Sequence, residues 1–361
     1  MRIAINTGGG DAPGLNAVIR AVTLSADALG WEVYGIRRGY EGLLEDIPDG
    51  FVRLTRNSVR GITHLGGTIL GTTNRGNPLK WATPGPNGEM IEVDRSDEVI
   101  SALEDRGIDV LVAVGGDGSL GIAAGLARKG LKVVGVPKTI DNDLASTVTT
   151  FGFNTAVQTA TDAIGKLHST AQSHRRVMVV ELMGRDAGWI ALFAGLGGTA
   201  DVILIPEIPY DIEKVCEKVQ SRYVGDRGFC IIVAAEGARP AGGTASYVEA
   251  ATAGRAARLG GVAETLSAQI EERTGREVRS LVLGHLQRGG EPTAYDKVLA
   301  LRFGAAAVEL IEKGHFGCMV ALDPPEVLAV PLEEATAKLK LVPVDGEVVR
   351  TARRLGTSFG D

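Results

Sequence analysis

The sequence predicts an α/β protein in which parallel sheets carry helices on both faces. Three observations predict it. Short β-branched runs alternate with longer amphipathic stretches, the pattern of strands joined by crossover helices. Runs such as 109–114 and 132–136 are largely continuously apolar, as expected of strands buried on both faces. The chain also has 361 residues, and at roughly 150 residues per domain that supports about two cores.

In chain order, 2–7 reads as the first strand, 13–29 as a helix stopped by Gly30, and 31–36 as the second strand. Asp11 is placed near the N-cap of that helix and Pro13 in its first turn. The segment 78–94, rich in Pro, Gly and Asn, reads as a surface excursion that could cover a site, and 96–105 resumes helical periodicity. After the 109–114 strand comes a helical 120–128, then the 132–136 strand. A second series follows: helix 155–171, strand 176–182, helix 187–195, strand 202–205, helix 212–223, strand 229–234, helix 258–273, strand 278–283 and helix 293–313, with a mixed tail beyond Gly317. No flexible linker or composition break marks a boundary. A division near residue 150 gives domains at 1–152 and 153–361, with part of the chain after about 287 returning to the first.

Composition narrows the function classes. Hydrophobic residues make up 44% and charged residues 23%, which fits neither a disordered tail nor a fibrous repeat. Lys and Arg number 38 against 44 Asp and Glu, for a net charge of −6, so nucleic acid and anionic membranes are not expected partners. An anionic ligand must then be met by a local basic cluster. Cys216, Cys230 and Cys318 contain no CxxC and imply neither a disulfide framework nor a zinc ribbon. With no extended apolar leader and no stretch of about 18 apolar residues, a cytoplasmic location is expected. The 49 glycines against 14 prolines suggest close backbone approaches to a ligand.

In parallel sheets, ligands bind beyond the carboxyl ends of strands. Three polar loops stand there. Thr7-Gly8-Gly9-Gly10-Asp11-Ala12-Pro13-Gly14 follows the first strand, and its unobstructed NH groups at a helix start suit a phosphate. It matches neither a P-loop nor GxGxxG, and a turn that binds nothing is the other reading. Gly115-Gly116-Asp117-Gly118-Ser119 offers a carboxylate for Mg²⁺ and a serine that can cap the next helix while bonding a phosphate. Pro137-Lys138-Thr139-Ile140-Asp141-Asn142-Asp143 offers two acids, a hydroxyl and an ammonium, suited to a base, a metal or phosphate contact and an anion ligand. An Asx-turn cluster is its bland alternative.

GGGDAPGLN, GGDGS, PKTIDND, the Met183-Gly184-Arg185 triplet and GHLQRGG at 284–290 resemble, in this order and spacing, the 6-phosphofructokinase family, over roughly residues 2 to 320. The closest likeness is to the branch carrying PKTIDND, which includes ATP-using and pyrophosphate-using members. The resemblance implies two doubly wound, Rossmann-like layers with the active site between a donor-binding and a sugar-phosphate-binding domain. It implies Mg²⁺-dependent transfer of a phosphoryl group from ATP to the 1-hydroxyl of fructose 6-phosphate. Gly10 is assigned to the nucleotide phosphates, Asp117 to Mg²⁺, and Gly116, Gly118 and Ser119 to the donor lining. Asp141 is the implied base, with Thr139 at the sugar phosphate being made and Asp143 supporting metal or loop. Arg75 is the implied transition-state arginine, one position later than in the best-known allosteric members, where the alignment gives Asn74. Ile140, Met183, Gly184, Arg185, Glu236, His285, Leu286, Gln287 and Arg288 are assigned to the sugar phosphate. Arg176 and Arg279 join them from a neighbouring subunit, which implies a homodimer or homotetramer with shared sites.

Two positions bear on the donor. Gly118 stands where pyrophosphate users of the family have a second aspartate; Lys138 stands where allosteric ATP users have glycine and pyrophosphate users lysine. Gly118 leaves room for an α-phosphate, so ATP is expected and pyrophosphate is the alternative. A noncatalytic nucleotide-binding subunit would lose the acids or arginines that are present here, and a nicotinamide oxidoreductase would show GxGxxG. The effector pattern of the allosteric members needs a second arginine one turn after Arg20, where this chain has Leu24. His64 and His174 are expected to be structural, and a helix start with Trp189 in the core is the plain reading of MGRDAGW.

Overall fold

A computed structural model describes residues 1–224, 228–249 and 258–361. The chain runs β1 (Arg2–Thr7), α1 (Leu15–Ala28), β2 (Glu32–Ile36), α2 (Glu41–Leu44), β3 (Phe51–Leu54), β4 (Trp81–Pro84), β5 (Met90–Val93), α3 (Ser96–Asp105), β6 (Val110–Gly115), α4 (Asp117–Arg128), β7 (Val133–Thr139) and β8 (Phe151–Gly152). It continues α5 (Phe153–His174), β9 (Val177–Leu182), α6 (Trp189–Gly197), β10 (Val202–Leu204), α7 (Ile212–Ser221), β11 (Cys230–Ala235), β12 (Tyr247–Glu249), β13 (Arg258–Leu259), α8 (Val262–Thr274) and β14 (Val278–Val282). A 3-10 turn at Gly284–Arg288 leads into α9 (Ala294–Glu312), β15 (Cys318–Asp323), β16 (Glu326–Pro331), α10 (Leu332–Ala335) and α11 (Glu347–Arg354).

Two sheets organise these elements. The larger has the order β16-β15-β7-β6-β1-β2-β3, with β8 on β7, and is parallel apart from its antiparallel edges β3 and β16. The smaller, β10-β11-β9-β14, is parallel throughout. Every residue of β6, β7, β9 and β11 is buried, which is why those runs are largely apolar, with Lys138, Thr139 and Glu181 as the exceptions. One face of the larger sheet packs on α1 and α9 through Ile3, Ile5, Val18, Val22 and Phe303, and the other packs on α3, α4 and α10. The smaller sheet is likewise covered on both faces, by α5, α6 and α11 and by α7 and α8. Each fully buried Ile or Phe contributes about 1.5–3 kcal/mol of hydrophobic transfer. The fold is therefore two doubly wound layers.

The chain passes between the layers three times: between β8 and α5, between β14 and α9, and between α10 and α11. The last strands β15 and β16 complete the larger sheet, whereas Phe359 is buried in the core of the smaller. At the second passage the Asp296 carboxylate of α9 accepts hydrogen bonds from the Thr155 amide (2.7 Å) and hydroxyl (2.6 Å) of α5. Thr293 caps α9 by accepting from the Asp296 amide, a contact typically worth about 1 kcal/mol.

Several local expectations are corrected. Helix α1 begins at Leu15 after a left-handed Gly14, so Asp11 and Pro13 lie in the preceding loop. Helix α4 begins at Asp117, which places Ser119 inside its first turn rather than at its cap. Residues 258–261 hold a short strand and a left-handed glycine ahead of α8, not a helix. The 78–94 segment contains the β4–β5 hairpin, anchored by Trp81, whose ring is buried beneath the Arg95 guanidinium at 5.2 Å. His64 and His174 are exposed rather than packed, and Leu24 lies against the first core. Trp189 is partly buried against the second core and opens α6. All three cysteines are free and buried.

Candidate active site

β1, β6 and β7 are adjacent and parallel, in the registers Thr7↔Val114 and Gly115↔Pro137, so their carboxyl ends release the three polar loops side by side. The glycine loop is fastened at both flanks: the Gly8 amide donates to the Val114 carbonyl (2.9 Å), the Gly9 amide to the Thr73 carbonyl (3.0 Å), and the Thr72 hydroxyl to the Gly9 carbonyl (2.6 Å). The 66–75 stretch is thereby brought beside it. Arg75 is exposed, and its amide donates to the Thr73 hydroxyl at 3.0 Å. Gly8, Gly9, Tyr40, Thr73, Arg75 and Ser119 line a small cavity at this edge. Tyr40 was not anticipated, although it follows β2 as the other loops follow their strands. Burial pushes its hydroxyl pKa up to about 12.

Gly10 is where the two layers meet. A Cβ there would stand 2.6 Å from a guanidinium nitrogen of Arg288, whose Nη1 donates to the Asp11 carbonyl at 3.0 Å. No other side chain allows that approach without displacing the arginine. Lys138, 2% exposed, reaches under the same loop to donate to the Gly10 carbonyl. Burial, with Arg288 nearby, lowers its pKa to about 8.

Thr139, Ile140, Asp141 and Asp143 are all buried. The Thr139 hydroxyl accepts from the Asp141 amide at 3.0 Å, and its carbonyl accepts from the Thr150 hydroxyl at 2.7 Å. One Asp141 carboxylate oxygen is buried without a hydrogen-bond partner among the described residues. Burial, the Asp141 charge and the Asp117 charge hold the Asp143 pKa well above the ordinary carboxylate range, against the pull of Arg185. Asp117, in the first turn of α4, is also shifted up by burial and down by Arg185. An incompletely compensated set of acids beside a glycine-rich loop suits a divalent cation. Among the described residues no three His, Cys, Asp or Glu enclose a metal by themselves.

On the facing side, Met183–Arg185 leave the end of β9, with Arg185 left-handed at φ 52°. One oxygen of Glu236 accepts from the amides of Gly184 (3.3 Å) and Arg185 (3.0 Å), and the Gln287 side-chain oxygen accepts from the Met183 amide at 2.9 Å. His285 and Leu286 are exposed on the 3-10 turn, while Gln287 is fully buried. Glu236 and Gln287 thus shape the loop that presents Arg185.

Burial raises the Glu236 pKa from 4.5 to about 7. Between those values the folded state binds more protons than the unfolded one, so its contribution to stability falls as pH rises through this window, by on the order of 3 kcal/mol at most. Glu236→Gln should flatten the decline of Tm in ligand-free protein between about pH 5 and pH 7.5. An unchanged slope would show that Glu236 titrates as a solvated carboxylate.

Arg176 and Arg279 are not gathered with the other basic residues. Arg176 precedes β9 while Met183 follows it, seven residues away, and a strand rises about 3.3 Å per residue, which separates the two ends by roughly 20 Å. Arg279 pairs with Met178 near the same far end, and both guanidinium groups share one oxygen of Glu277, at 2.9 and 2.6 Å. Within one chain, therefore, a single basic cluster of Arg176, Arg185, Arg279, His285 and Arg288 does not form.

Comparison with known proteins agrees with this fold. A family model described as phosphofructokinase matches residues 2–311. An ATP-dependent 6-phosphofructokinase of Chloroflexus aurantiacus is 52% identical over 360 residues, covering 100% of this chain and 98% of the relative. ATP-dependent 6-phosphofructokinase 2 of Clostridium perfringens is 49% identical, again over 100% of this chain and 98% of the relative. A pyrophosphate–fructose 6-phosphate 1-phosphotransferase of Amycolatopsis methanolica is 50% identical over 352 residues, 95% of this chain and 96% of the relative. Among solved structures, Pichia pastoris phosphofructokinase in the T-state superposes with TM-score 0.79 at 29% identity, over 99% of this chain but only 36% of that longer one. A pyrophosphate-dependent phosphofructokinase from Marinobacter aquaeolei shares the fold, with TM-score 0.79 at 24% identity over 99% of this chain and 92% of that one.

Proposed function

We infer that this chain, which belongs to the phosphofructokinase family, transfers the γ-phosphoryl group of ATP to the 1-hydroxyl of fructose 6-phosphate, giving fructose 1,6-bisphosphate and ADP in glycolysis. The observation that carries the reading is Asp141: a buried carboxylate with one unpartnered oxygen, on the loop between the donor glycines and the Arg185 loop. Asp141 takes the proton of the 1-hydroxyl as the oxygen attacks the γ-phosphorus in line. Gly8–Gly10 and the first turn of α4 cradle the donor phosphates, Arg75 meets charge developing on the transferred group, and Thr139 holds the phosphate being made. Arg185, His285 and Arg288 receive the sugar phosphate, and Glu236 the sugar hydroxyls. Asp117 would hold Mg²⁺, which would supply neutralisation of the donor phosphate charge.

Overall likeness leans toward ATP by a small margin, with an ATP-dependent relative 52% identical over 100% of the chain and a pyrophosphate user 50% identical over 95% of it. Gly118 favours ATP: a Cβ built there meets nothing within 4 Å, so the space an aspartate would fill is open. Lys138 favours the alternative, pyrophosphate, but it lies beneath the glycine loop and bars neither donor. A coupled assay with fructose 6-phosphate and Mg²⁺, comparing ATP with pyrophosphate, tests the assignment. Faster turnover with pyrophosphate would reverse it.

The active enzyme is an oligomer in which Arg176 and Arg279 serve a neighbouring subunit's sugar-phosphate site. Supporting this, both lie remote from Arg185, and the adjoining edge strand β14 and 3-10 turn expose Leu281, Val282 and Leu286, the last at 71%. Mixed oligomers of inactive Asp141→Asn and inactive Arg176→Ala chains should regain part of the activity. With subunit exchange verified, no recovery would refute the shared site. Among the described residues no helix is long and apolar enough to cross a membrane.

A further inference from the structure

We propose that Lys340, in the tail segment between α10 and α11, is a positioning residue for phosphoryl transfer: its ammonium clamps Asn142 and so fixes the flanking Asp141 and Asp143. The inference rests on Asp141 being the base. Lys340 lies beyond the 2–311 span that matches the family model, in a stretch whose sequence carries no motif.

The contacts are specific. Lys340 Nζ donates to the Asn142 side-chain oxygen (2.9 Å) and to the carbonyls of Thr147 (2.9 Å) and Val148 (3.0 Å), three acceptors for its three protons. The Lys340 amide donates to the Asp143 carbonyl at 2.7 Å, and Leu339 bridges Leu144 in antiparallel fashion. Asn142 is the left-handed residue between the two acids, at φ 53°, and its side-chain oxygen also accepts from the Thr150 amide at 3.2 Å. A backbone conformation of that kind persists where its surroundings hold it. The clamp is anchored on the opposite layer. The Lys340 carbonyl accepts from the Trp189 indole at 2.7 Å, and the Val342 amide donates to Glu207, which also accepts from the Gly188 amide at the start of α6. The tail thus ties the loop bearing the base to the helix that follows the Arg185 loop.

Packing alone does not account for a lysine here. All three acceptors are uncharged; the partly buried ammonium also lies 5.7 Å from the Trp189 ring centroid and feels the Asp143 charge, yet taking it partly out of water costs free energy that a methionine of similar length would avoid. What methionine cannot supply is directed hydrogen bonding to a strained loop. Positioning errors of about 1 Å at reacting groups cost on the order of 10²-fold in rate.

The test uses the full chain with ATP and fructose 6-phosphate. Wild-type turnover of that pair examines the functional reading, and the variants examine Lys340. Lys340→Met should lower kcat 10- to 100-fold while the KM for each substrate stays within threefold. Val349→Ala, a cavity in α11 away from the loop, serves as the stability control: it should lower Tm and leave kcat within twofold. A folded Lys340→Met enzyme with kcat within twofold of wild type would overturn the proposal. So would a loss of kcat in Val349→Ala matching that of Lys340→Met at equal Tm loss, since general destabilisation would then suffice. If Lys340→Met does not fold, Lys340→Gln, whose shorter amide cannot satisfy all three acceptors, is read by the same criteria.

Discussion

Asp141→Asn should remove most of the turnover while leaving fold and substrate binding largely intact, with kcat lower by about 10² to 10⁴, the usual contribution of a general base. An asparagine side chain is nearly isosteric, and the main-chain amide of residue 141, which donates to the Thr139 hydroxyl at 3.0 Å, is untouched by the substitution. What disappears is the capacity to take the hydroxyl proton. The substitution also removes a negative charge beside Asp143, whose raised pKa owes part of its shift to Asp141. Neither phosphate binding nor stability should therefore decline. Steady-state kinetics together with thermal unfolding check this. A well-folded variant losing less than tenfold in kcat would assign the base elsewhere.

Gly118→Asp should sharply weaken ATP use. Gly118 is exposed on the donor side of α4, one residue after Asp117, and a side chain there enters open space. The carboxylate would stand beside the donor's phosphates. A like charge at about 4 Å costs between about 1 kcal/mol in water and about 4 kcal/mol at an effective dielectric of 20, which brackets the loss in kcat/KM for ATP between roughly fivefold and a thousandfold. Burial of the site by bound donor drives the effect toward the upper figure. Pyrophosphate, which has nothing beyond its second phosphate to place there, should be affected less. ATP kinetics that do not change in the variant would remove Gly118 from the determinants of donor choice.

The sequence by itself determined the layers and the place of the three polar loops. Strands β6, β7, β9 and β11 are largely apolar because helices cover both faces of their sheets, and that pattern needs no tertiary knowledge to read. The loops of Gly8–Gly10, Asp117 and Asp141 were legible for the same reason, since strand ends in a parallel sheet fall on one edge. Helix starts were less legible. Asp11 and Ser119 have the side chains of caps, but the glycines before α1 and α4 set the actual boundaries.

Only the tertiary structure decided which distant residues share the site. Arg176 and Arg185 are nine positions apart, yet a strand stands between them and sends them to opposite ends of the sheet, whereas Arg288 and Gly10, hundreds of residues apart, are in contact. Lys340 shows the same limit in stronger form. It looks like any charged residue in a tail, and its hydrogen bonds to Asn142, Thr147 and Val148 exist only because β15 and β16 return to the larger sheet and carry the chain back past the loop. Periodicity and turn chemistry are local and survive in one dimension. Convergence depends on how strands are ordered in a sheet, and that order follows from burying both faces of two layers at once.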